Sequence, residues 1–159
     1  NYVKTITEKV RAATSKPIII KLSPNTASIK EFAQAAKDEG ADAVSAINTL
    51  VGTAFDIYTK KPRIKNVTGG LSGPAIKPVA LAKVLEISRN VDIPIIGIGG
   101  ISNWKDAVEF IICGATAIQV GTTNFVNPNI SNEIIDGMEE YCIESSINKI
   151  SDLIGSYSL

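Results

Sequence analysis

Strand and helix signals alternate along the whole 159-residue chain, and this alternation restricts the possible folds more than any other feature. Short β-branched runs lie at residues 17–23, 43–49, 93–100 and 116–122, and an amphipathic helical pattern follows each of them. Strands that are separated by helices pair in parallel through right-handed crossovers. The sequence therefore predicts an α/β fold with a parallel sheet.

An internal repeat helps to choose between the two common parallel architectures. EGADAV at 39–44 and CGATAI at 113–118 both end a helix and begin a strand. An open doubly wound sheet and a (β/α)8 barrel both satisfy the pattern, but no G-x-G-x-x-G follows the first strand, which disfavours the dinucleotide-binding open sheet. Four strands are too few to close a barrel, and the helical pattern at 2–13 has no strand before it. We therefore expect a TIM-barrel type in which only about the last four β/α units are present, the amino-terminal portion being absent.

Local signals also predict where several helices begin and end. Ser28 and Asn103 each precede a helical pattern and are candidate N-caps, while Gly40 and Gly114 follow the last helical residues. Pro128 lies near the start of a further helix, and a last short helix is expected around 147–154.

Composition excludes several classes of function. Sixteen basic and sixteen acidic residues give a formal net charge of 0, which argues against nucleic-acid and membrane-surface binding, and no apolar run approaches the length of a membrane span. The chain has no histidine, so it supplies no Ser-His-Asp triad and no His-ligated zinc, and we predict no metal site. Cys113 and Cys142 form no disulfide framework and are interpreted as core residues, which fits a reducing, cytoplasmic location.

Polar residues and glycines stand at the carboxyl ends of the predicted strands, where β/α barrels build their active sites. These residues are Lys21, Asn48, Thr49, Gly99, Gly100, Gly121 and Thr122. Two successive glycine-containing turns are typical of a phosphate site made of backbone N–H groups, although each turn could also be only a tight β-to-α connection.

The polar side chains also leave alternatives open. Lys21 lies in an apolar run, where a charge is costly unless an anion meets it, so it predicts either a structural ion pair or a cation site for a ligand. Asn48 and Thr49 either cap a turn or present amide and hydroxyl groups to a planar polar ligand.

An insert at about 52–73 is too long for an ordinary connection. FDIYT at 55–59 and RIKNV at 63–67 alternate and flank KKP, which predicts a small β-hairpin over the site. Its basic residues form a solvated face or meet a partner subunit. GGLSG at 69–73 then leads into the next helix and could place backbone amides against a ligand.

Taken together, the motifs resemble the carboxyl-terminal half of dihydroorotate dehydrogenase over nearly the whole chain. The segments that carry the resemblance, in order, are KLSPN (21–25), SAINTL (45–50), TGGLSGPAIKPVAL (68–81), PIIGIGGI (94–101) and CGATAIQVGT (113–122). The resemblance implies an FMN-binding (β/α)8 barrel that oxidises dihydroorotate to orotate in pyrimidine synthesis. The sequence INTL at 47–50 is most similar to the NAD-linked branch. In that branch the flavin subunit pairs with a subunit carrying FAD and an iron–sulfur cluster.

The resemblance also assigns cofactor-binding roles. It implies that Lys21 lies beside the pyrimidine edge of the flavin, where a cation would stabilise the negative charge of the reduced ring. Ile47 resembles the flavin-contacting residue of its strand, and Gly73 resembles a backbone contact to FMN. The residues similar to the phosphate-binding pairs are Gly99, Gly100, Gly121 and Thr122.

For the substrate, the resemblance implies that Asn48 and Thr49 hydrogen-bond the orotate ring. The family's catalytic base, a cysteine or serine on a loop of the amino-terminal half, has no counterpart here, so no catalytic residue is assigned and the chain alone is predicted to be inactive.

Two other interpretations remain. One is a related flavin barrel such as the carboxyl part of dihydropyrimidine dehydrogenase, and the other is a non-redox phosphate-binding half-barrel that self-associates. A half-barrel exposes sheet edges, so a homodimer is expected.

Overall fold

The computed structural model describes residues 2–158, which form alternating strands and helices. The helices are α1 (Tyr2–Ala13), α2 (Ile29–Asp38), α3 (Lys77–Ser88), α4 (Trp104–Ile112), α5 (Thr123–Val126) and α6 (Ile130–Glu144). The strands are β1 (Ile19–Leu22), β2 (Ala43–Ala46), β3 (Leu50–Gly52), β4 (Gly69–Leu71), β5 (Ile95–Ile98) and β6 (Ala117–Gln119). Short 3₁₀ turns occur at Pro74–Ile76 and Ile150–Leu153.

The principal sheet confirms the predicted parallel α/β architecture. Its strand order is β1-β2-β5-β6, and every neighbouring pair is parallel. The order follows the chain without reversing, as in a β/α barrel, whereas a doubly wound sheet reverses its strand order at a switch point. Residues 2–158 therefore contain four consecutive parallel strands of barrel type.

One face of this sheet packs against the helices and forms the core. Each packing helix presents an apolar stripe spaced by four and then three residues, such as Ile29, Ala33 and Ala36 on α2. The equivalent stripe of α3 is Ala80, Val84 and Ile87. Because parallel partners in register point the same way, the strand residues on the helix face include Leu22, Ala46 and Gly97, and the opposite face carries Lys21, Ser45 and Ile96.

The two predicted N-caps have different outcomes. Asn103 caps α4 as predicted, since its side chain accepts a hydrogen bond from the backbone N–H of Asp106. Ser28 occupies the predicted N-cap position of α2, but its hydroxyl makes no capping bond. The Glu86 carboxylate on α3 accepts instead from the N–H groups of Ile29 and Lys30. It thus provides a hydrogen-bond acceptor, from outside the helix, for the free backbone N–H groups at the start of α2.

The insert forms a hairpin whose strands lie outside the predicted segments. Leu50–Gly52 pairs antiparallel with Gly69–Leu71. In the predicted region, the structure shows one isolated bridge among the described residues, which joins Phe55 of the first predicted segment to Pro62 of the intervening KKP. Asp56 accepts from the N–H groups of Tyr58 and Thr59 and folds the intervening residues into turns. The local turn chemistry thus replaces the predicted ladder.

The carboxyl-terminal part differs from the expectation in detail. The short helix α5 was not predicted, and the expected last helix is a single 3₁₀ turn, Ile150–Leu153. Cys113 and Cys142 are both free and half-buried rather than fully in the core, and burial raises the pKa of the Cys113 thiol. No helix among residues 2–158 combines the length and the apolar character that crossing a bilayer needs.

The contact between β5 and α4 yields a prediction about stability. A Cβ atom on Gly97 would lie 2.5 Å from Cδ1 of the fully buried Phe110 ring, so we expect Gly97→Ala to lower the free energy of unfolding by about 1–3 kcal/mol. Urea unfolding measures the change. Gly52→Ala is the matched control, because its Cβ would meet Leu71 Cβ at an ordinary 3.5 Å. Equal stability of the two variants would contradict the packing described for this face.

Candidate functional site

A cavity of about 210 Å³ opens at the carboxyl ends of the four parallel strands. All nine residues predicted to bind a cofactor or substrate line it: Lys21, Ile47, Asn48, Thr49, Gly73, Gly99, Gly100, Gly121 and Thr122. They come from segments that are far apart in the sequence, from Lys21 to Thr122, and meet because parallel strands end at the same edge of the sheet. The structure therefore brings the whole predicted set together.

The turn after β5 is shaped by its close approach to α3. Gly100 has a φ of +79°, and a Cβ there would lie 2.7 Å from the backbone nitrogen of Lys77, the first residue of α3. At Gly99 a Cβ would lie 2.9 Å from that of Ala80. Backbone atoms and a buried alanine cannot move aside, so both positions require glycine.

The turn after β6 faces open space instead. No heavy atom lies within 4 Å of the position that a Cβ on Gly121 would take. Thr122 follows, and its hydroxyl donates to Ser72 Oγ at 2.9 Å, while Gly73 lies across from its methyl group. Within residues 2–158, the backbone N–H groups of Gly100, Gly121 and Thr122 have no hydrogen-bond acceptor. The wall of the cavity thus carries free donors beside a surface that a ligand can approach closely.

Lys21 is exposed, which corrects the expectation of a charge inside an apolar run. Its side chain belongs to the sheet face opposite the helices, in register with Ser45 of β2. Among the residues that the structure describes, no carboxylate forms an ion pair with it, so the structural ion pair is not found. The ammonium group is therefore a free cation at the edge of the cavity.

Asn48 and Thr49 lie on a segment that a third side chain holds in place. The Asn25 amide donates to the carbonyl of Thr49 at 2.9 Å and accepts from the N–H of Val51 at 3.0 Å. Asn48 itself is exposed, and its Oδ1 accepts from the N–H of Thr49 at 2.7 Å. The Asn48 Oδ1 is thus used in a bond to the neighbouring residue, and its Nδ2 has no partner within the described residues.

A buried carboxylate braces the turn after β5. Asp106 accepts from the N–H and the hydroxyl of Ser102 at 2.8 and 2.7 Å, and Lys77 donates to it at 2.6 Å. Burial alone would raise the pKa of Asp106, but the hydrogen bonds from Lys77 and Ser102 outweigh it and hold the pKa below the usual 3.8. The hydrogen bond to Asp106 raises the pKa of Lys77 in turn.

Sequence analysis missed some members of this site. Ser72, Ile76, Thr123 and Phe125 also line the cavity, and Phe125 is 92% exposed. Ser72 lies inside the GGLSG segment that was singled out, so its hydroxyl could have been found there. Asp106 and Lys77 carried no local signal, because their partners lie 29 positions apart.

Comparison with known proteins supports the resemblance stated above. A family model described as dihydroorotate dehydrogenase matches residues 1–142. A relative from Pelobacter propionicus is 55% identical over 146 residues, which are 92% of this chain and 48% of that protein. A relative from Trichlorobacter lovleyi is 58% identical over 146 residues, again 92% of this chain and 48% of that protein.

A third relative, from Caldicellulosiruptor bescii, is 54% identical over 157 residues, which are 99% of this chain and 52% of that protein. All three are named dihydroorotate dehydrogenase B (NAD(+)), catalytic subunit. The chain spans about half the length of these curated relatives.

The Asp106 contacts predict how stability depends on pH. Because its pKa is lower in the folded chain than the usual 3.8, ionised Asp106 stabilises the fold above that pH, and the contribution is lost as the pH falls through the folded value. We expect Asp106→Asn to be less stable than the wild type by about 1–3 kcal/mol at neutral pH. Urea unfolding at neutral and acidic pH measures both chains. A difference that stays constant down to about pH 3 would contradict this account.

Proposed function

This chain belongs to the dihydroorotate dehydrogenase family, and from that premise we propose that it supplies the FMN phosphate site and part of the orotate site of an enzyme that oxidises dihydroorotate to orotate in de novo pyrimidine biosynthesis. The observation that carries the proposal is the meeting of nine predicted residues around one cavity at the strand ends. When bound, FMN supplies the electron-accepting chemistry of such an oxidation.

The phosphate group of FMN fits the two glycine-containing turns. Free N–H groups at Gly100, Gly121 and Thr122 are hydrogen-bond donors for a dianion, and the open space beside Gly121 lets phosphate oxygens approach the backbone. The Thr122 hydroxyl is a further polar group at this wall. The donor set favours an anion over an apolar group of the same size.

The ring system of FMN fits the remainder of the cavity. Ile47 offers an apolar surface, and Lys21 offers a cation that no carboxylate of the described residues neutralises. We assign Lys21 to the reduced flavin, whose negative charge it would stabilise, and Gly73 to a backbone contact with the cofactor. Asn48 and Thr49 are assigned to the orotate ring, because the free amide of Asn48 suits a planar ligand with carbonyl oxygens.

The rest of the enclosure comes from outside these residues. A cavity of about 210 Å³ is smaller than the roughly 300–1,000 Å³ of typical ligand sites, so the chain forms one side of a larger site. We assign no catalytic base to this chain and propose that the amino-terminal half of the barrel supplies it. We also propose a homodimer, and an electron-transfer subunit with FAD and an iron–sulfur cluster as partner, since the relatives are named as NAD(+)-type catalytic subunits.

Titration with FMN and riboflavin tests the phosphate site, because the two ligands differ only in the phosphate group. We expect FMN to bind at least about tenfold more tightly. Gly121→Ala should weaken FMN binding by about tenfold while changing the free energy of unfolding by less than about 0.5 kcal/mol, since its methyl group enters open space. Flavin absorbance and urea unfolding provide the two measurements.

The control for this titration is Gly52→Ala, which lies on the hairpin strand β3 and does not line the cavity. It should leave both affinities unchanged. Equal binding of FMN and riboflavin by the wild type would overturn the phosphate assignment. Binding of inorganic phosphate without any flavin would favour the non-redox half-barrel. In the enzyme completed by the amino-terminal half, oxidation of dihydropyrimidines other than dihydroorotate would favour the dihydropyrimidine dehydrogenase type.

The role of Lys21 predicts a shift in the reduction potential of bound FMN. Lys21→Gln removes the cation that favours the reduced ring, so the potential should fall by about 30 mV for each 1.4 kcal/mol of lost stabilisation. Redox titration of the bound flavin measures the shift. Lys16→Gln is the matched control, because Lys16 is an exposed lysine beyond the amino end of β1, away from the cavity. An equal shift in both variants would refute a local role for Lys21.

A further inference from the structure

Asp106 is the one buried charged side chain among residues 2–158, and it does not line the cavity. It lies in the first turn of α4, directly after the segment that carries Gly99 and Gly100. A carboxylate is expensive to bury unless donors surround it. Its position beside a glycine turn therefore calls for a physical reason.

The contacts of Asp106 join the two sides of that turn. One carboxylate oxygen, Oδ2, accepts from the N–H and hydroxyl of Ser102 and from the Asn103 amide at 3.1 Å. The other oxygen, Oδ1, accepts from Lys77 Nζ at 2.6 Å. The residue thus connects the loop that follows Gly100 to the start of α3.

The start of α3 is also the surface on which Gly100 rests. A Cβ on Gly100 would lie 2.7 Å from the backbone nitrogen of Lys77, so the turn and the helix are in direct contact. Asp106 holds Ser102 on one side of this contact and Lys77 on the other. Any loosening of the carboxylate lets the turn and its free N–H group move relative to the helix.

We propose that Asp106 is a positioning residue that fixes the Gly99–Gly100 turn in the geometry that binds the phosphate group of the cofactor. This inference rests on the proposed function. Asp106 donates nothing to the ligand itself, and its negative charge is compensated by Lys77, which also contacts Glu109 at 3.0 Å.

A role of Asp106 through its charge and a role through positioning the turn predict opposite effects of the same substitution on FMN affinity. Asp106→Asn removes a negative charge near the turn, which by Coulomb's law alone would strengthen binding of an anionic phosphate. The same change weakens the bonds to Ser102 and Lys77 and so loosens the turn. The sign of the change in FMN affinity therefore separates the two roles.

The experiment titrates FMN and riboflavin into the purified wild type and the Asp106→Asn variant. We expect the variant to bind FMN about tenfold more weakly and riboflavin within about twofold of the wild type, because only FMN uses the phosphate turn. Unchanged or tighter FMN binding would overturn the proposal. An equal loss for both ligands would also overturn it, since general loosening of the fold does not discriminate between them.

A matched control uses a second carboxylate that braces a loop far from the cavity. Asp42 accepts from the N–H of Ile18 at 2.7 Å and pairs with Arg11 at 3.0 Å, at the amino ends of β1 and β2. Asp42→Asn should leave the ratio of the FMN and riboflavin affinities unchanged. A changed ratio there would show that the ratio reports general destabilisation and would overturn the proposal.

Ser102→Ala provides a second variant that keeps the test decisive if Asp106→Asn does not fold. It removes one donor to Asp106 and leaves the carboxylate and its contact with Lys77 in place. We expect a smaller loss of FMN affinity, about threefold, with riboflavin binding unchanged. No loss would refute the positioning role. A wild type that binds FMN no better than riboflavin would instead overturn the proposed function, and this inference with it.

Discussion

The turn after β5 passes so close to the start of α3 that no side chain fits between them, and the geometry of the cavity depends on this contact. Gly100 packs against the backbone of Lys77, and Gly99 packs against Ala80. Because the same helix packs its Ala80, Val84 and Ile87 stripe on the sheet, the position of the turn is tied to the core. Close packing leaves few alternative arrangements of such a contact, so the packing that stabilises the fold restricts where the turn can lie, and the role proposed for Asp106 is to hold its N–H group within that restricted range.

The two faces of the sheet have different roles, since one forms the core and the other leads to the cavity. The helix face is filled by apolar side chains and by Gly97, which accommodates the Phe110 ring. The opposite face carries Lys21 and Ser45 in register and leads to the cavity. A one-residue shift of register would move Lys21 into the core and Leu22 out of it, at a large desolvation cost. The apolar pattern of the strands therefore also places the ammonium group beside the site.

Much of the fold and the site could be predicted because their signals are local. Each strand and its terminal glycine or polar residue lies within a few positions, and the parallel arrangement then brings the strand ends together. The features that were missed depend on distant residues: Glu86 caps α2 in place of Ser28, and Lys77 meets Asp106 across 29 positions. The hairpin was misplaced because the Asp56 turn bonds compete with strand pairing, and periodicity alone does not detect such competition. Lys21 is exposed because it lies on the sheet face opposite the helices, and the apolar residues around it in the sequence do not indicate which face it occupies.

The two charged groups near the strand ends illustrate how burial separates ligand binding from positioning. Asp106 is buried and its oxygens accept four hydrogen bonds, so it has little capacity left for a ligand and acts on the protein around it. Lys21 is exposed and has no partner among residues 2–158, so its charge remains available to whatever enters the cavity. The same carboxylate, if it faced the cavity, would repel a phosphate group or pair with Lys21 and remove the free cation. Asp106 lies behind the turn, away from the cavity, whereas Lys21 lies at the edge of the cavity. This separation keeps the cavity attractive to anions although the chain as a whole has no net charge.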